Sequence, residues 1–311
     1  MSDTSPASLL AGILLGGFNG LGIGTLELYF NGAGAALERR LPLGLMLLLR
    51  TVLWSGVFFA SEAVASMAMM RMGTSRPPML LHNAGTLLFA FAVSLLFNFV
   101  FTLRTMLGPS TLLALVTGRY HAPHSEERTV LFLDVQGSTP LAERLGDHDF
   151  HRFLNAVFHD VTDPVLETGG EIYRYVGDEV IVTWPRSKGG ESVACLFAID
   201  AALRARADDY QRAFGAAPRV RGALHAGTLI VGEMGDVKRE IVMLGDTMNT
   251  ASRIEGACRT TGCDYIASAD ALRSVVPMPP GIHAASLGKL PLHGKEEEIE
   301  LFALARVGVR L

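Results

Sequence analysis

The first third of this sequence carries very little charge. Residues 1–107 contain no lysine, and only ten of them are charged. About a quarter of the residues in an ordinary soluble domain are charged, so this composition excludes a typical soluble fold for the segment. The first eight residues also lack Lys and Arg. A secretory signal peptide needs a basic region there, and the sequence therefore argues against one.

Cysteine and excess positive charge are scarce as well. The chain has three cysteines, and none of them forms a CxxC pair. An odd count without that spacing predicts no disulfide framework, so we interpret Cys195, Cys258 and Cys263 as reduced side chains of a cytosolic domain. The net charge is only -4, which argues against a nucleic-acid-binding protein.

Long apolar runs take the place of the missing charge. Leu9–Phe30, Leu43–Met70 and Met79–Leu103 are each long enough to cross a bilayer as a helix of roughly 20 residues. They predict an all-helical transmembrane region over residues 1–107, held in the lipid bilayer. Arg104 and Arg119 follow the third run, so the positive-inside rule places the C-terminal part in the cytoplasm. The sequence predicts a multi-pass protein of the cell (inner) membrane, with four spans as the open alternative to three.

Two ionisable residues lie inside the second apolar run. Arg50 and Glu62 are separated by about 18 Å of helix, so they cannot pair with each other. We expect Arg50 to reach the membrane interface and Glu62 to find a polar partner such as His82 or Asn98. The alternative is a functional site at membrane depth.

Beyond a linker over residues 108–127, which includes a short helix at Ser110–Val116, the pattern alternates between strands and helices. Its order, βαββαβ, predicts that residues 128–311 form an α+β, ferredoxin-like sandwich with one helical layer. The predicted helices are Phe150–Thr168, Glu191–Phe214 and Thr247–Ala257. The predicted strands are Val130–Val135, Glu171–Val176, Val180–Trp184, a hairpin of Val220–His225 with Thr228–Gly232, and later strands near Asp264–Ala267 and Ile299–Ala305.

Two carboxylates stand where this pattern ends a strand or turns a hairpin. Asp134 closes the buried strand, and the turn Gly137-Ser138-Thr139 then opens a helix whose free N–H groups can hold phosphate. Asp178 lies in the tight turn of the second predicted hairpin. Two carboxylates on neighbouring strand ends suit Mg²⁺ together with phosphate. Either residue alone is equally compatible with a turn aspartate that caps its own backbone.

Two further motifs follow towards the C-terminus. Asn249 and Arg253 are four residues apart, which places both on one face of the predicted helix. Lys295 follows a His-Gly turn ahead of a charged run and the last strand. Taken alone, all three residues would be read as solvated surface groups.

In this order, the four motifs resemble the catalytic domain of class III adenylate and guanylate cyclases. The resemblance covers about Arg128 to Leu304, and Arg221–Gly227 resembles the central strand of that family. It implies a homodimer with head-to-tail domains and sites between them. It also implies the conversion of ATP to 3′,5′-cyclic AMP and pyrophosphate, for intracellular signalling, by attack of the ribose 3′-oxygen on the α-phosphorus.

The resemblance also implies roles for individual residues. Asp134 and Asp178 match the aspartates that bind two divalent cations per site, Mg²⁺ or Mn²⁺, and the Val135 carbonyl matches a further metal ligand. These ligands come from one subunit of the dimer.

The other subunit supplies the groups that hold the nucleotide. Asn249 matches the residue that orients the ribose, and Arg253 matches the residue that stabilises charge on the α-phosphoryl group. Lys295 matches the phosphate-binding lysine. Arg221 is assigned the same role, but the resemblance does not place it in either subunit.

The sequence departs from the family where the base is bound. Adenylate cyclases of this type place Lys and then Asp or Thr where this chain has Arg174 and Val242, and guanylate cyclases place Glu and Cys there. Arg174 can donate to adenine N1, whereas Val242 cannot accept from the 6-amino group. We predict a modest preference for ATP. The alternatives are a guanylate cyclase, or a catalytically silent nucleotide-binding or membrane-sensing module.

Overall fold

The computed structural model describes residues 6–31, 34, 37, 41–71, 84–107, 109–295 and 297–308. The chain divides into two units, Met1–Leu112 and Leu113–Leu311. The predicted linker spans this division, and the first strand of the second unit begins inside it, at His124.

The first unit is helical. Its helices are α1, Pro6–Asn31, α2, Leu43–Arg71, and α3, Ala84–Leu107. Within the described part of the chain, one stretch, Leu43–Met67, is long and apolar enough to cross a membrane, and Leu88–Arg104 is a shorter apolar stretch. The start of the third predicted span, residues 79–83, lies outside the described residues.

Arg50 does not reach outwards from α2, as the sequence led us to expect. Its side chain is buried, with Nη1 3.7 Å from Oε2 of Glu27 on α1, and its guanidinium lies over the ring of Phe30. A charge removed from water is costly without a partner, and Glu27 supplies one. Of the two partners expected for Glu62, Asn98 donates to the Ser94 carbonyl instead, and His82 lies outside the described residues.

The second unit is an α+β fold built on one mixed sheet. The strands lie in the order β2-β3-β1-β4-β6-β8-β7, and β5 pairs with β4 outside this path. Its strands are β1, His124–Val135, β2, Glu171–Val176, β3, Glu179–Pro185, β4, Val220–Met234, β5, Glu240–Leu244, β6, Tyr265–Ser268, β7, Ile282–Leu290, and β8, Ile299–Arg306. Its helices are α4, Pro109–Thr117, α5, Ser138–Leu145, α6, Asp147–Glu167, α7, Gly189–Ala205, α8, Ala207–Phe214, α9, Asp246–Thr261, and α10, Ala269–Leu272.

The first four strands have the predicted ferredoxin-like arrangement. They are antiparallel and follow the order β2-β3-β1-β4, with helices between β1 and β2 and between β3 and β4. Strands β5 and β7 were not predicted. They extend the sheet beyond this core, because β5 folds back on β4 and β7 pairs with β8.

The single helical layer expected from the sequence is wrong, because helices cover both faces of the sheet. Leu131 and Leu133 of β1 belong to the core that holds residues of α6 and α7. Val130 and Phe132 point the other way and share a core with Ala251 of α9. A strand that is apolar on both faces must be covered on both, and the unbroken run at the end of β1 indicates this burial.

The predicted hairpin between residues 220 and 232 is also wrong. Strand β4 runs straight through it and pairs with β1 from Val220 to Val231. Gly227 is not a turn residue: a Cβ at this position would lie 2.5 Å from Oγ1 of Thr247 at the start of α9. The glycine therefore provides room for a helix rather than a change of direction.

The long helix predicted over Glu191–Phe214 is two helices, α7 and α8, joined at Arg206. Arg206 donates to the carboxylate of Asp160 on α6, and the Tyr210 hydroxyl donates to the same group at 2.6 Å. The break lets α8 turn back onto α6, so that this buried carboxylate is paired.

Candidate active site

Asp134 lies at the end of the central strand β1, between two neighbouring strands. It stands opposite Glu179 of β3 and Arg221 of β4 in the sheet register. The residue is buried, and it is on the face covered by α9, as are Val130 and Phe132. The sheet register thus places the Asp134 carboxyl group between Glu179 and Arg221, on the face of the sheet that α9 covers.

Asp178 reaches Asp134 from the turn between β2 and β3. Val176 pairs with Glu179, which leaves Gly177 and Asp178 as the two turn residues, and Gly177 takes a positive φ of 63°. Burial raises the pKa of Asp134 to about 7, with further contributions from a hydrogen bond to Asp178 and the negative charges of Asp178 and Glu255. Two carboxyl groups in hydrogen-bond contact must share a proton or a cation.

Basic residues neutralise part of this negative charge. Arg221 Nε lies 3.3 Å from Asp134 Oδ2 and 3.7 Å from Glu255 Oε1, and Arg259 Nη2 lies 3.4 Å from the same aspartate oxygen. Arg221 therefore lies against the carboxylate pair in this chain. Burial and the charges of Glu255, Asp134 and Asp178 also raise the pKa of Glu179 to about 7.

The sequence reasoning missed Glu255, Arg259 and Glu179. Glu255 lies among the buried residues of α9, and Arg259, one turn further along the helix, is exposed but extends to Asp134. An acid in the buried stripe of an amphipathic helix is a usable signal, because such a group needs a partner. Glu179 directly follows Asp178 and is the first residue of β3.

The turn after β1 has the form expected of a phosphate-binding loop. Gly137 takes a positive φ of 68° and precedes α5, which begins at Ser138 and Thr139. Gly137 and Thr139 are exposed, and Ser138 is partly buried. The N–H groups of the first turn of a helix have no partner within that helix, and here they open beside the end of the carboxylate-bearing strand.

A second cluster forms around the start of α9 and the loop before β8. Arg253 donates from Nη1 to the Gly294 carbonyl at 3.1 Å. Lys295 forms an ion pair with Asp246, the first residue of α9. Asn249 is exposed on the same helix. Arg253 and Lys295, far apart in sequence, are therefore brought into one group with Asn249.

The two clusters lie at different places along α9. A helix rises about 1.5 Å per residue, so Asn249 is about 15 Å along the axis from Arg259, the α9 residue that contacts Asp134. Arg253 is about 9 Å from Arg259 by the same measure. One chain therefore does not place Asn249 beside its own carboxylate pair.

The two base-pocket residues lie on β2 and β5. Arg174 donates from Nη2 to Glu240 Oε2 at 2.7 Å, and its guanidinium lies over the Tyr173 ring. Val242 is partly buried and pairs with Gly232 of β4. The structure thus brings Arg174 to the strand that carries Val242, but to a different residue of that strand.

The carboxylate pair fits a magnesium or manganese site. Among the described residues, no three His, Cys, Asp or Glu side chains are grouped as a ready-made metal centre. Mg²⁺ is often held by one or two protein carboxylates together with substrate phosphates. Asp134 and Asp178 supply such a pair, and Val135, the last residue of β1, directly follows Asp134 in the chain.

The sheet order, the carboxylate pair and the cluster at the start of α9 together match one class of catalytic domain. The sequence profile for the adenylate and guanylate cyclase catalytic domain matches residues 120–305, more than half of the chain. The chain belongs to this family.

Relatives with established names agree with this assignment. Adenylate cyclase 2 of Rhizobium meliloti (strain 1021) is 40% identical over 236 residues, covering 75% of this chain and 65% of that protein. An adenylate cyclase of Anabaena cylindrica is 26% identical over 58% of this chain and 37% of its own length. This chain thus spans less than two thirds of the length of either relative. The crystal structure of the adenylyl cyclase CyaB from P. aeruginosa has the same fold, with a TM-score of 0.51 at 22% identity over 59% of this chain and 96% of that one.

Proposed function

We propose that this chain is an adenylate cyclase that converts ATP to 3′,5′-cyclic AMP and pyrophosphate. The observation that carries the proposal is the contact between Asp134 and Asp178 at the end of the central strand. Two neighbouring carboxyl groups, Asp134 buried and Asp178 half-buried, would otherwise have to share a proton, and they suit divalent cations and a triphosphate. The relative with 40% identity is an adenylate cyclase, which supports ATP as substrate rather than GTP.

Asp134, Asp178 and the Val135 carbonyl would hold Mg²⁺ or Mn²⁺, two ions per site. When bound, such ions stabilise negative charge on the phosphoryl oxygens. The turn Gly137-Ser138-Thr139 binds phosphate oxygens through its N–H groups.

The remaining groups position the nucleotide and stabilise the transition state. Asn249 orients the ribose so that its 3′-oxygen forms a bond to the α-phosphorus as the bond to pyrophosphate breaks. Arg253 stabilises the charge on that phosphorus, and Lys295 and Arg221 bind the other phosphates. Positioning and fixed charges supply most of the acceleration in such a transfer.

The complete site lies between the two subunits of a homodimer. Support comes from the separation of Asn249 and Arg253 from the carboxylate pair along α9 within one chain. A second chain, placed head to tail, brings its own α9 cluster to the first chain's carboxylates. The symmetric dimer then has two equivalent sites.

The helical unit anchors the catalytic unit to the cell (inner) membrane with three spans, and the catalytic unit faces the cytoplasm. Support comes from the apolar helix at Leu43–Met67, from the apolar composition of residues 1–107, and from the arginines that follow α3. Because ATP is cytoplasmic, this orientation also gives the enzyme its substrate.

Product analysis tests the proposal. The full-length chain, purified in detergent, receives equimolar ATP and GTP in parallel, with Mg²⁺ and with Mn²⁺. We expect cyclic AMP as the main product. A larger yield of cyclic GMP would make the chain a guanylate cyclase, and no cyclic nucleotide with either metal would leave a nucleotide-binding or membrane-sensing module.

A further inference from the structure

The base pocket lacks an acceptor at Val242, but the same strand carries one two residues earlier. Glu240 and Val242 are two residues apart on β5, so their side chains point to the same side of the strand. Strand β5 pairs only with β4 among the described strands, which leaves its other edge open. Glu240 is therefore next to the position where the family places its acceptor.

Strand β2 brings the donor to this acceptor. Arg174 Nη2 lies 2.7 Å from Glu240 Oε2. The hydroxyl of the neighbouring Tyr173 accepts from the Met243 N–H at 3.0 Å. These two bonds tie β2 to β5 on either side of Val242, so the donor and the acceptor are held side by side.

Both side chains keep hydrogen-bonding capacity for a ligand. A carboxylate has about four lone-pair positions, and a guanidinium has five N–H donors. Glu240 uses one oxygen for Arg174 and the other for Lys238. The side chains of Arg174 and Glu240 remain 43% and 39% exposed. The pair is thus satisfied without a nucleotide and still open to one.

We propose that Glu240 is the residue that selects adenine, acting with Arg174 in place of an acceptor at position 242; the inference rests on the proposed cyclase function. Adenine presents an acceptor at N1 and a donor at its 6-amino group. Arg174 donates to N1, and Glu240 accepts from the amino group. Guanine presents the opposite pattern, with a donor at N1 and the oxygen O6 facing the carboxylate. Val242 contributes only apolar contact to the ring.

Deleting one group from the enzyme and one from the nucleotide tests this assignment. Purine riboside triphosphate keeps N1 but lacks the 6-amino group. We expect Glu240→Ala to lower kcat/KM for ATP by about tenfold, because a charge-assisted hydrogen bond is lost. The same variant should leave kcat/KM for purine riboside triphosphate nearly unchanged. Arg174→Ala should lower kcat/KM for both nucleotides by the same factor, because both retain N1.

Two further variants of the full-length chain complete the experiment. Glu240→Gln keeps the side-chain shape, and its amide can donate to O6, so the ratio of ATP to GTP turnover should fall. Lys238→Gln removes the other cation on Glu240, and the ratio should stay at the wild-type value.

The outcomes separate this inference from the proposed function. Equal losses for ATP and purine riboside triphosphate in Glu240→Ala, or an unchanged nucleotide ratio in Glu240→Gln, would overturn the role of Glu240 while leaving the enzyme a cyclase. A wild-type chain that cyclises neither ATP nor GTP would overturn the proposed function and this inference together.

Discussion

At the scale of single residues, the sequence identified side chains whose position depends on local structure. Asp134 lies at the end of a strand and Asp178 occupies a two-residue turn. Both features can be predicted from a few neighbouring residues. Glu255 and Arg259 were missed because they reach Arg221 and Asp134, respectively, only through the packing of α9 against the sheet. The contact between Arg174 and Glu240 was missed for the same reason, since 66 residues separate them.

The carboxylate pair gives the first prediction. Asp134→Ala or Asp178→Ala should lower kcat by at least about a hundredfold, because the triphosphate charge loses part of its counter-charge. The rate of cyclic AMP formation by purified variants measures this, with circular dichroism as the test of folding. Asp149→Ala is the matched control, since this exposed aspartate pairs with two neighbours on its own helix, Arg152 and His148. Activity of a folded Asp134 or Asp178 variant within tenfold of wild type would refute the metal-binding role.

A buried histidine gives the second prediction, on stability. Nδ1 of His225 lies within hydrogen-bond distance, 2.7 Å, of Ser268 Oγ, which also accepts from the Ala271 N–H. Burial lowers the pKa of His225 to about 4 from its usual 6.5. The folded state therefore holds the neutral ring, whereas the unfolded chain binds a proton below pH 6.5. The contribution of the neutral His225 ring to the free energy of unfolding is complete above pH 6.5. The free energy of unfolding falls by about 3 kcal/mol as the pH drops from 6.5 towards 4.

Urea unfolding of the wild type and of His225→Gln, followed by Trp184 fluorescence in a Trp54→Phe background, measures this loss. Carboxylates titrate in both proteins, so the informative quantity is the difference between the two free energies of unfolding. That difference should shrink as the pH falls from 7 to 4. A difference independent of pH would show that His225 is not held neutral by the fold.

At the scale of elements, the sequence predicted those whose signals are local and failed where packing decides. The β2–β3 hairpin, the start of the helix carrying Asn249, and strands β6 and β8 were predicted at nearly their observed bounds. Gly227 misled the prediction, because a glycine that makes room for a neighbouring helix looks the same in sequence as one that makes a turn. The second helical layer depends on which elements meet, and periodicity does not contain that information.

The connection from α6 to β2 gives a prediction at this scale. A Cβ on Gly170 would lie 2.7 Å from Cε2 of Trp184, whose rigid ring is fully buried. Gly170→Ala should therefore destabilise the second unit by about 1–3 kcal/mol. Gly256→Ala is the matched control, because Gly256 lies on α9 with nothing within 4 Å of the added carbon. It should be neutral or stabilise by up to about 1 kcal/mol, as measured by urea unfolding; equal effects of the two variants would contradict the packing argument.

At the scale of the whole molecule, the chain consists of two units that differ in composition. In the proposed function, the apolar helices of residues 1–107 would attach the chain to the bilayer, and the family match begins at residue 120. Two chains confined to one membrane meet at a higher effective concentration than free domains do. An anchor thus favours a catalytic domain whose site needs two copies.

The orientation of the anchor is open to direct measurement. A reporter fused after Leu311 should read as cytoplasmic, and a tag placed before Ser8 should be accessible from outside the cell. The asymmetry of arginines after α3 is the physical reason. A cytoplasmic tag at the N-terminus would require an even number of spans and would contradict the three-span arrangement.

The central claim is that each site combines the carboxylates of one chain with α9 of the other, and complementation tests it most directly. Asp134→Ala and Arg253→Ala should each be inactive alone. Co-expressed, they form mixed dimers in which one of the two sites is intact. Random pairing then restores about a quarter of wild-type activity, since half of the dimers are mixed and each has one working site.

Co-expression of Asp134→Ala with Asp178→Ala is the control. Both changes fall in the same half of the site, so every dimer lacks a metal-binding carboxylate in each site, and activity should stay absent. If the Asp134→Ala and Arg253→Ala mixture also stays inactive while heterodimers are demonstrated by differential tags, the site lies within one chain and the shared-site account is wrong.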